Sequence, residues 1–81
     1  MMIDKVKQII AKEFGINEST INDNDHLKYD IGINSLEMAD LIFVIEEEMG
    51  IFLGDDASEF DTVRDLADAV TKASDASKEL W

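Results

Sequence analysis

Asp30-Ile31-Gly32-Ile33-Asn34-Ser35-Leu36-Glu37-Met38 decides the fold of this chain, because there a polar loop turns into the longest helical pattern in the sequence. Asn34 and Ser35 stand side by side as N-cap candidates ahead of an unbroken helical run to Met49. A side-chain oxygen at such a position accepts a bond from a backbone N–H that the first turn leaves without a partner. The same end of a helix carries partial positive charge, so a phosphate attached to Ser35 would be stabilised there. Gly32 permits a tight approach or an unusual backbone angle just before the helix. Asp30, Gly32 and Asn34 surround Ser35 with polar or small groups, which predicts that it is exposed.

Outward from that point, a helical wheel of residues 35–49, at about 100° per residue, separates two apolar strips. Met38, Leu41, Ile42, Ile45 and Met49 form a stripe that should face the core. Leu36, Ala39 and Phe43 form a second strip, bordered by Glu37, Asp40, Glu47 and Glu48, with Glu46 on the other flank. A surface helix ordinarily has one apolar face, so the second strip has two readings. Leu36 and Phe43 pack beneath the preceding loop, or they form a docking surface whose acidic rim supplies steering and register.

Upstream, residues 2–14 read as an amphipathic helix, with Ile3, Val6, Ile10 and Phe14 at spacings of three and four and Ile9 widening the stripe. Gly15 is placed to end it in the left-handed conformation. Three of the six lysines, Lys5, Lys7 and Lys12, lie on this helix, so the remainder of the chain is the acidic part. The connection 16–34 is long for a structureless loop, which suggests that Ile16, Ile21, Leu27, Ile31 and Ile33 are pinned to the core. Asn17, Ser19 and Asn22 invite local turns or one short helical turn. His26, the single histidine, has no partner set for catalysis or metal binding around it and reads as structural or solvated.

Downstream, Ile51, Phe52 and Leu53 are expected to run extended toward the core, followed by a short helix in which Asp55 or Asp56 caps and Ala57 and Phe60 point inward. Such a short element would be marginal; in a domain that had to admit a guest chain, it would serve as the door. A last helix starts at Thr62 or Val63, where Thr62 and Asp65 imitate a capping box. Val63, Leu66, Ala67 and Val70 form its inner stripe, and the polar segment 71–81 either continues it or frays.

The composition bounds the rest. Eighty-one residues make one domain, 1–81, with a core over about 2–72 and a polar tail at 73–81. A chain of this size buries only roughly 60% of its unfolded surface, so modest stability is expected. A net charge of −12 makes a nucleic acid an improbable partner. The absence of cysteine removes disulfides, thiolate metal sites and thiol catalysis. The N-terminus lacks the apolar run of a signal peptide, and no stretch approaches the roughly 20 apolar residues of a membrane span, so a cytoplasmic location is expected; a monomer is expected as well. Asn17-Glu18-Ser19 matches a glycosylation acceptor but stands without a secretion signal. Neither Asn22-Asp23-Asn24-Asp25 nor Asp55-Asp56 has the spacing of a calcium loop, so no metal site is expected. Ser35 lacks the Gly-x-Ser-x-Gly elbow, and nothing positions His26 beside it, so independent catalysis is not expected.

The Asp30-x-Gly32-x-Asn34-Ser35-Leu36 motif, followed by an apolar-acidic helix containing Glu46-Glu47-Glu48, resembles the acyl carrier proteins over roughly Val6 to Val70. One residue departs: Asn34 stands where the family usually has Asp, and it caps a helix equally well. The resemblance implies an all-α fold, a small acyl-carrier-like bundle of three main helices plus one short helix, with a long first loop. It implies a covalent 4′-phosphopantetheine on Ser35, in a site shaped by Asp30, Gly32 and Asn34. It also implies a non-catalytic carrier that holds acyl intermediates as thioesters for fatty-acid or specialised lipid and polyketide enzymes. Its partners would be a phosphopantetheinyl transferase and acyl-transfer or synthase enzymes with basic surfaces, docking on Leu36, Glu37, Ala39, Asp40, Phe43, Glu47 and Glu48. The core residues would enclose or line any space for the cargo. The alternative is an unmodified acidic adaptor of the same fold.

Overall fold

The computed structural model describes residues 1–53 and 60–79. Three α-helices carry the architecture: α1 (Met2–Phe14), α2 (Ser35–Met49) and α3 (Val63–Glu79), with one 3₁₀ turn at Glu18–Thr20. α1 packs chiefly against α3 and also against α2. The bundle of three main helices with a long first loop is therefore the observed fold, and the 3₁₀ turn is the additional short element among the described residues. The short helix expected near Asp55 to Phe60 falls largely outside the described residues; Phe60 itself is not helical and is half-buried against the core.

The core is made of the stripes that the helical spacings single out. Val6, Ile9 and Ile10 come from α1, Leu41, Ile42 and Ile45 from α2, and Val63, Leu66, Ala67 and Val70 from α3. Ile21, Leu27 and Ile33 of the first loop are buried with them, which explains how so long a connection stays in place. Ile31 is half-buried, and Ile16 differs from expectation: it is 39% exposed. It sits immediately past Gly15, whose φ of 66° ends α1 and turns the chain outward.

Local chemistry sets each helix boundary. Gly15 and Gly50 take left-handed angles at the ends of α1 and α2, donating to the carbonyls of Ala11 and Glu46. The Asn17 side chain accepts from the Ser19 N–H and starts the 3₁₀ turn. At α3, the Thr62 hydroxyl accepts from the Asp65 N–H and the Asp65 carboxylate accepts from the Thr62 N–H, both at 3.1 Å, a reciprocal box made with the shorter acid. α3 continues through the segment left open by the sequence as far as Glu79, with Ala73 and Ser74 half-buried.

Residues 51–53 alternate rather than run inward together. Ile51 and Leu53 pack against the core, while Phe52 is 67% exposed. An extended chain points successive side chains to opposite sides, so the central residue of three must face out.

Candidate functional site

Ser35 is the first residue of α2, and Asn34 is its N-cap. Asn34 has extended angles, φ −85° and ψ 176°, and its Oδ1 accepts from the Glu37 N–H at 2.8 Å. Glu37 returns the interaction through Oε1, which accepts from the Asn34 N–H at 3.0 Å. The Asn34 carbonyl accepts the first intrahelical bond, from Met38 N–H, at 2.8 Å. Two N–H groups of the first turn remain, those of Ser35 and Leu36, and neither has a hydrogen-bond partner among the described residues. The Ser35 hydroxyl is likewise exposed and unpaired among them. An uncommitted hydroxyl thus stands beside two uncommitted donors at the positive end of a helix.

The loop that delivers Ser35 is tied down by backbone bonds around His26. The His26 Nδ1 accepts from the N–H groups of Lys28 and Tyr29, both at 3.1 Å, while its carbonyl accepts from Asp30 and Ile31. Asp30 bends back so that its carboxylate accepts from the His26 N–H at 2.7 Å. The His26 ring lies against Tyr29, with centroids 4.4 Å apart, and its Nε2 is 3.9 Å from the Asp61 carboxylate. The histidine is structural: it accepts for two amides that the tight turn would otherwise leave open. Gly32 follows with φ +89°, an angle that L side chains rarely adopt, and Ile33 then donates to the Leu27 carbonyl at 2.9 Å.

A second set of ties fixes this loop to the entrance of α3. Leu27 donates to Asp61, Val63 to Asp25 and Arg64 to Asp23, at 2.8, 3.0 and 2.9 Å, and His26 pairs with Thr62 in an isolated antiparallel bridge. Asp23 collects cations from two helices, Lys7 of α1 on one oxygen and Arg64 of α3 on the other. The hydrogen bond from Lys7, followed by the charges of Lys7 and Arg64, holds the Asp23 carboxyl below its ordinary value against the opposing effect of desolvation. The sequence offers little signal for this clamp, because its members lie far apart in the chain.

The outer face of α2 is open. Leu36 is 76% and Phe43 61% exposed, and Ala39, Asp40, Glu47 and Glu48 are exposed around them. The apolar strip does not pack beneath the loop. Glu37 differs from its neighbours: it is half-buried, and one carboxylate oxygen is committed to the cap. Glu46, on the other flank, accepts from the Leu53 N–H at 2.8 Å and so stitches the chain after α2 to the helix. Phe43, Glu46, Glu47, Gly50 and Ile51 line a shallow open depression at the far end of α2. Phe52 adds an exposed aromatic ring that sequence reasoning misses, although the alternation of an extended segment over 51–53 carries the signal.

A family model described as "Phosphopantetheine attachment site" matches residues 4–70. The chain belongs to this family of phosphopantetheine carriers. Its fold is similar to the solution structure of an apo doublet acyl carrier protein from prodigiosin biosynthesis, with a TM-score of 0.78 at 20% identity. That likeness covers 88% of this chain and 35% of the other, so the chain spans about a third of the solved protein's length. Carrier domains of this family are non-catalytic, and their prosthetic group is phosphopantetheine. The start of α2 fits such a group chemically: it offers a free hydroxyl for a phosphoester, unpaired N–H donors for its negative charge, and no blocking side chain at Gly32. Among the described residues, no helix is long and apolar enough to cross a membrane, and no cluster of three His, Cys, Asp or Glu is placed to hold a metal.

Proposed function

We propose that Ser35 carries the 4′-phosphopantetheine arm and that this acyl carrier protein presents acyl intermediates to separate enzymes. In this reading residues 1–81 act as one carrier domain. The observation that carries it is the exposed, unpaired Ser35 hydroxyl at the first residue of α2, inside the matched span 4–70. A transferase must bring the pantetheine-bearing phosphorus of coenzyme A to that oxygen: the Ser35 O–P bond forms as the pyrophosphate bond breaks, adenosine 3′,5′-bisphosphate leaves, and the hydroxyl proton passes to a base on the transferase. When attached, the arm supplies a thiol on which an acyl group is held as a thioester.

The chain's own residues do the rest. Asn34 and Glu37 hold the helix start in register, and Asp30, His26 and Gly32 set the direction from which the loop reaches it. Leu36, Ala39 and Phe43 offer an apolar strip that begins beside Ser35, while Asp40, Glu47 and Glu48 give it an acidic border. A partner with an apolar contact ringed by Lys and Arg fits that surface, and docking there leaves the arm at the edge of the footprint. Fatty-acid, polyketide and specialised lipid synthases all match this chemistry.

The test is the intact mass after incubation with coenzyme A and a phosphopantetheinyl transferase of broad tolerance. The wild-type chain gains one phosphopantetheine and Ser35→Ala gains none. A folded wild-type sample that gains nothing with several transferases leaves the unmodified acidic adaptor as the function. A Ser35→Ala variant that still gains the group places the attachment elsewhere.

A further inference from the structure

The residue before Ser35 poses a physical question that helix stability does not answer. Asn and Asp cap a helix about equally, and a carboxylate complements the positive helix end better than an amide does. For the helix alone, then, Asp would serve at least as well, and this chain is otherwise rich in carboxylates, with 19 Asp and Glu against 7 Lys and Arg.

The hydrogen bonds at the cap fix which way the Asn34 amide faces. The Glu37 N–H can be accepted only by Oδ1, at 2.8 Å, because turning the amide over would set one donor against another. The Nδ2 group must therefore point away from the Glu37 N–H. Asn34 is exposed, and its Nδ2 has no acceptor among the described residues. The two neighbouring carboxylates each have an oxygen engaged by a backbone donor, Glu37 by the Asn34 N–H and Asp30 by the His26 N–H. At the start of α2, residues 34–36 carry three donor groups that are unpaired among the described residues: Asn34 Nδ2, Ser35 N–H and Leu36 N–H.

We infer that Asn34 binds the phosphodiester of the Ser35-linked arm through Nδ2, and so holds the root of the arm against the start of α2. The inference rests on the attachment reading above and adds a positioning residue to it. An Asp here would keep the cap with one oxygen and turn the other, carrying charge, toward the phosphodiester. The amide replaces that repulsion with a charge-assisted hydrogen bond. It sets the direction in which the arm leaves the surface without changing the helix beneath it.

The experiment compares apo and holo protein by NMR, after mass spectrometry has established loading. In the wild type, the Asn34 side-chain amide protons move downfield when the arm is attached. In Asn34→Asp, which retains the cap, the new carboxyl titrates at higher pH in the holo than in the apo form, because a like charge has come beside it. The phosphorus resonance of the holo wild type differs from that of holo Asn34→Asp, which keeps the cap acceptor and has no amide donor. Loading with the Asn34 amide signals unmoved, or with the carboxyl titration of Asn34→Asp equal in both forms, overturns this inference and leaves the attachment reading standing. Absence of loading overturns both.

Discussion

Asn34 and Glu37 close the start of α2 on each other, side chain to backbone in both directions, at 2.8 and 3.0 Å. This reciprocal box satisfies one N–H of the first turn and the N–H of the cap itself, and it leaves those of Ser35 and Leu36 without a partner among the described residues. Asn34→Ala should lower the unfolding free energy by about 1 kcal/mol, and Asn34→Asp should leave it nearly unchanged. Equal denaturant midpoints for wild type and Asn34→Ala would show that the cap does not hold the helix end.

Gly32 tests the approach to the same point. Its φ of +89° is strained for any residue with a Cβ, while the space that an added methyl would occupy is open, with nothing within 4 Å. The cost of Gly32→Ala is therefore conformational rather than steric, about 1–2 kcal/mol. Gly32→Asn should cost less, because Asn tolerates left-handed angles better. Chemical denaturation ranks the three, and a wild-type-like Gly32→Ala would mean that the loop enters α2 by another path.

Most of this fold is legible in the sequence because it is periodic. The apolar spacings of three and four in residues 2–14, 35–49 and 63–70 correspond to the buried stripes of α1, α2 and α3. Capping residues announce themselves locally, as at Thr62 and Asp65. Contacts between residues distant in the chain leave no comparable trace: Asp23 meets Lys7 and Arg64 only because α1 and α3 pack together. Phe52 misleads for a different reason: its hydrophobicity argues for burial, and the alternation of an extended segment overrides it. At the site, Ser35, Gly32 and Asn34 can be picked out by type and spacing. The role of His26 cannot, since accepting two amide protons within its own turn depends on backbone shape.

Acid should weaken the clamp on Asp23. Its carboxyl sits lower in the folded protein than its ordinary value of 3.8, chiefly through the hydrogen bond from Lys7. The unfolded chain therefore takes up that proton first as pH falls. The contribution to stability is fully present above the unfolded value and disappears as pH drops through the lower folded one. Asp23→Asn should be less stable than wild type near neutral pH, and the difference should shrink steadily below about pH 4. The pair lies near the surface, so the difference should also narrow in high salt. A gap between the two proteins that stays constant from neutral pH down to about pH 2, read by urea denaturation, would remove Asp23 as the titrating member.

His26→Phe keeps an aromatic ring against Tyr29 but removes Nδ1, leaving the Lys28 and Tyr29 amides without their acceptor. Those two amides should exchange with solvent faster. The Ile33 amide, bonded to Leu27 beside the core, should keep its protection. The stability loss should be about 1 kcal/mol, the usual worth of a partly exposed hydrogen-bonding group. Unchanged exchange at both positions would show that the ring is not what organises the turn.

The docking face proposed on α2 separates shape from charge. Leu36 and Phe43 are exposed on the strip that begins at Ser35, and Asp40 and Glu47 are exposed at its border. Neither carboxylate is engaged in an ion pair or hydrogen bond among the described residues, so reversing it to lysine removes no internal contact. Asp40→Lys and Glu47→Lys should therefore leave the unfolding free energy within about 0.5 kcal/mol of wild type. Both should slow association with a basic synthase or transferase, and the dependence of that rate on salt should flatten as the attraction is lost. Phe43→Ala should act differently, raising the dissociation rate while keeping the salt dependence, because it removes buried contact rather than steering. Association kinetics at low and high ionic strength distinguish the two. A salt profile identical for wild type and the double reversal would move the docking surface off α2.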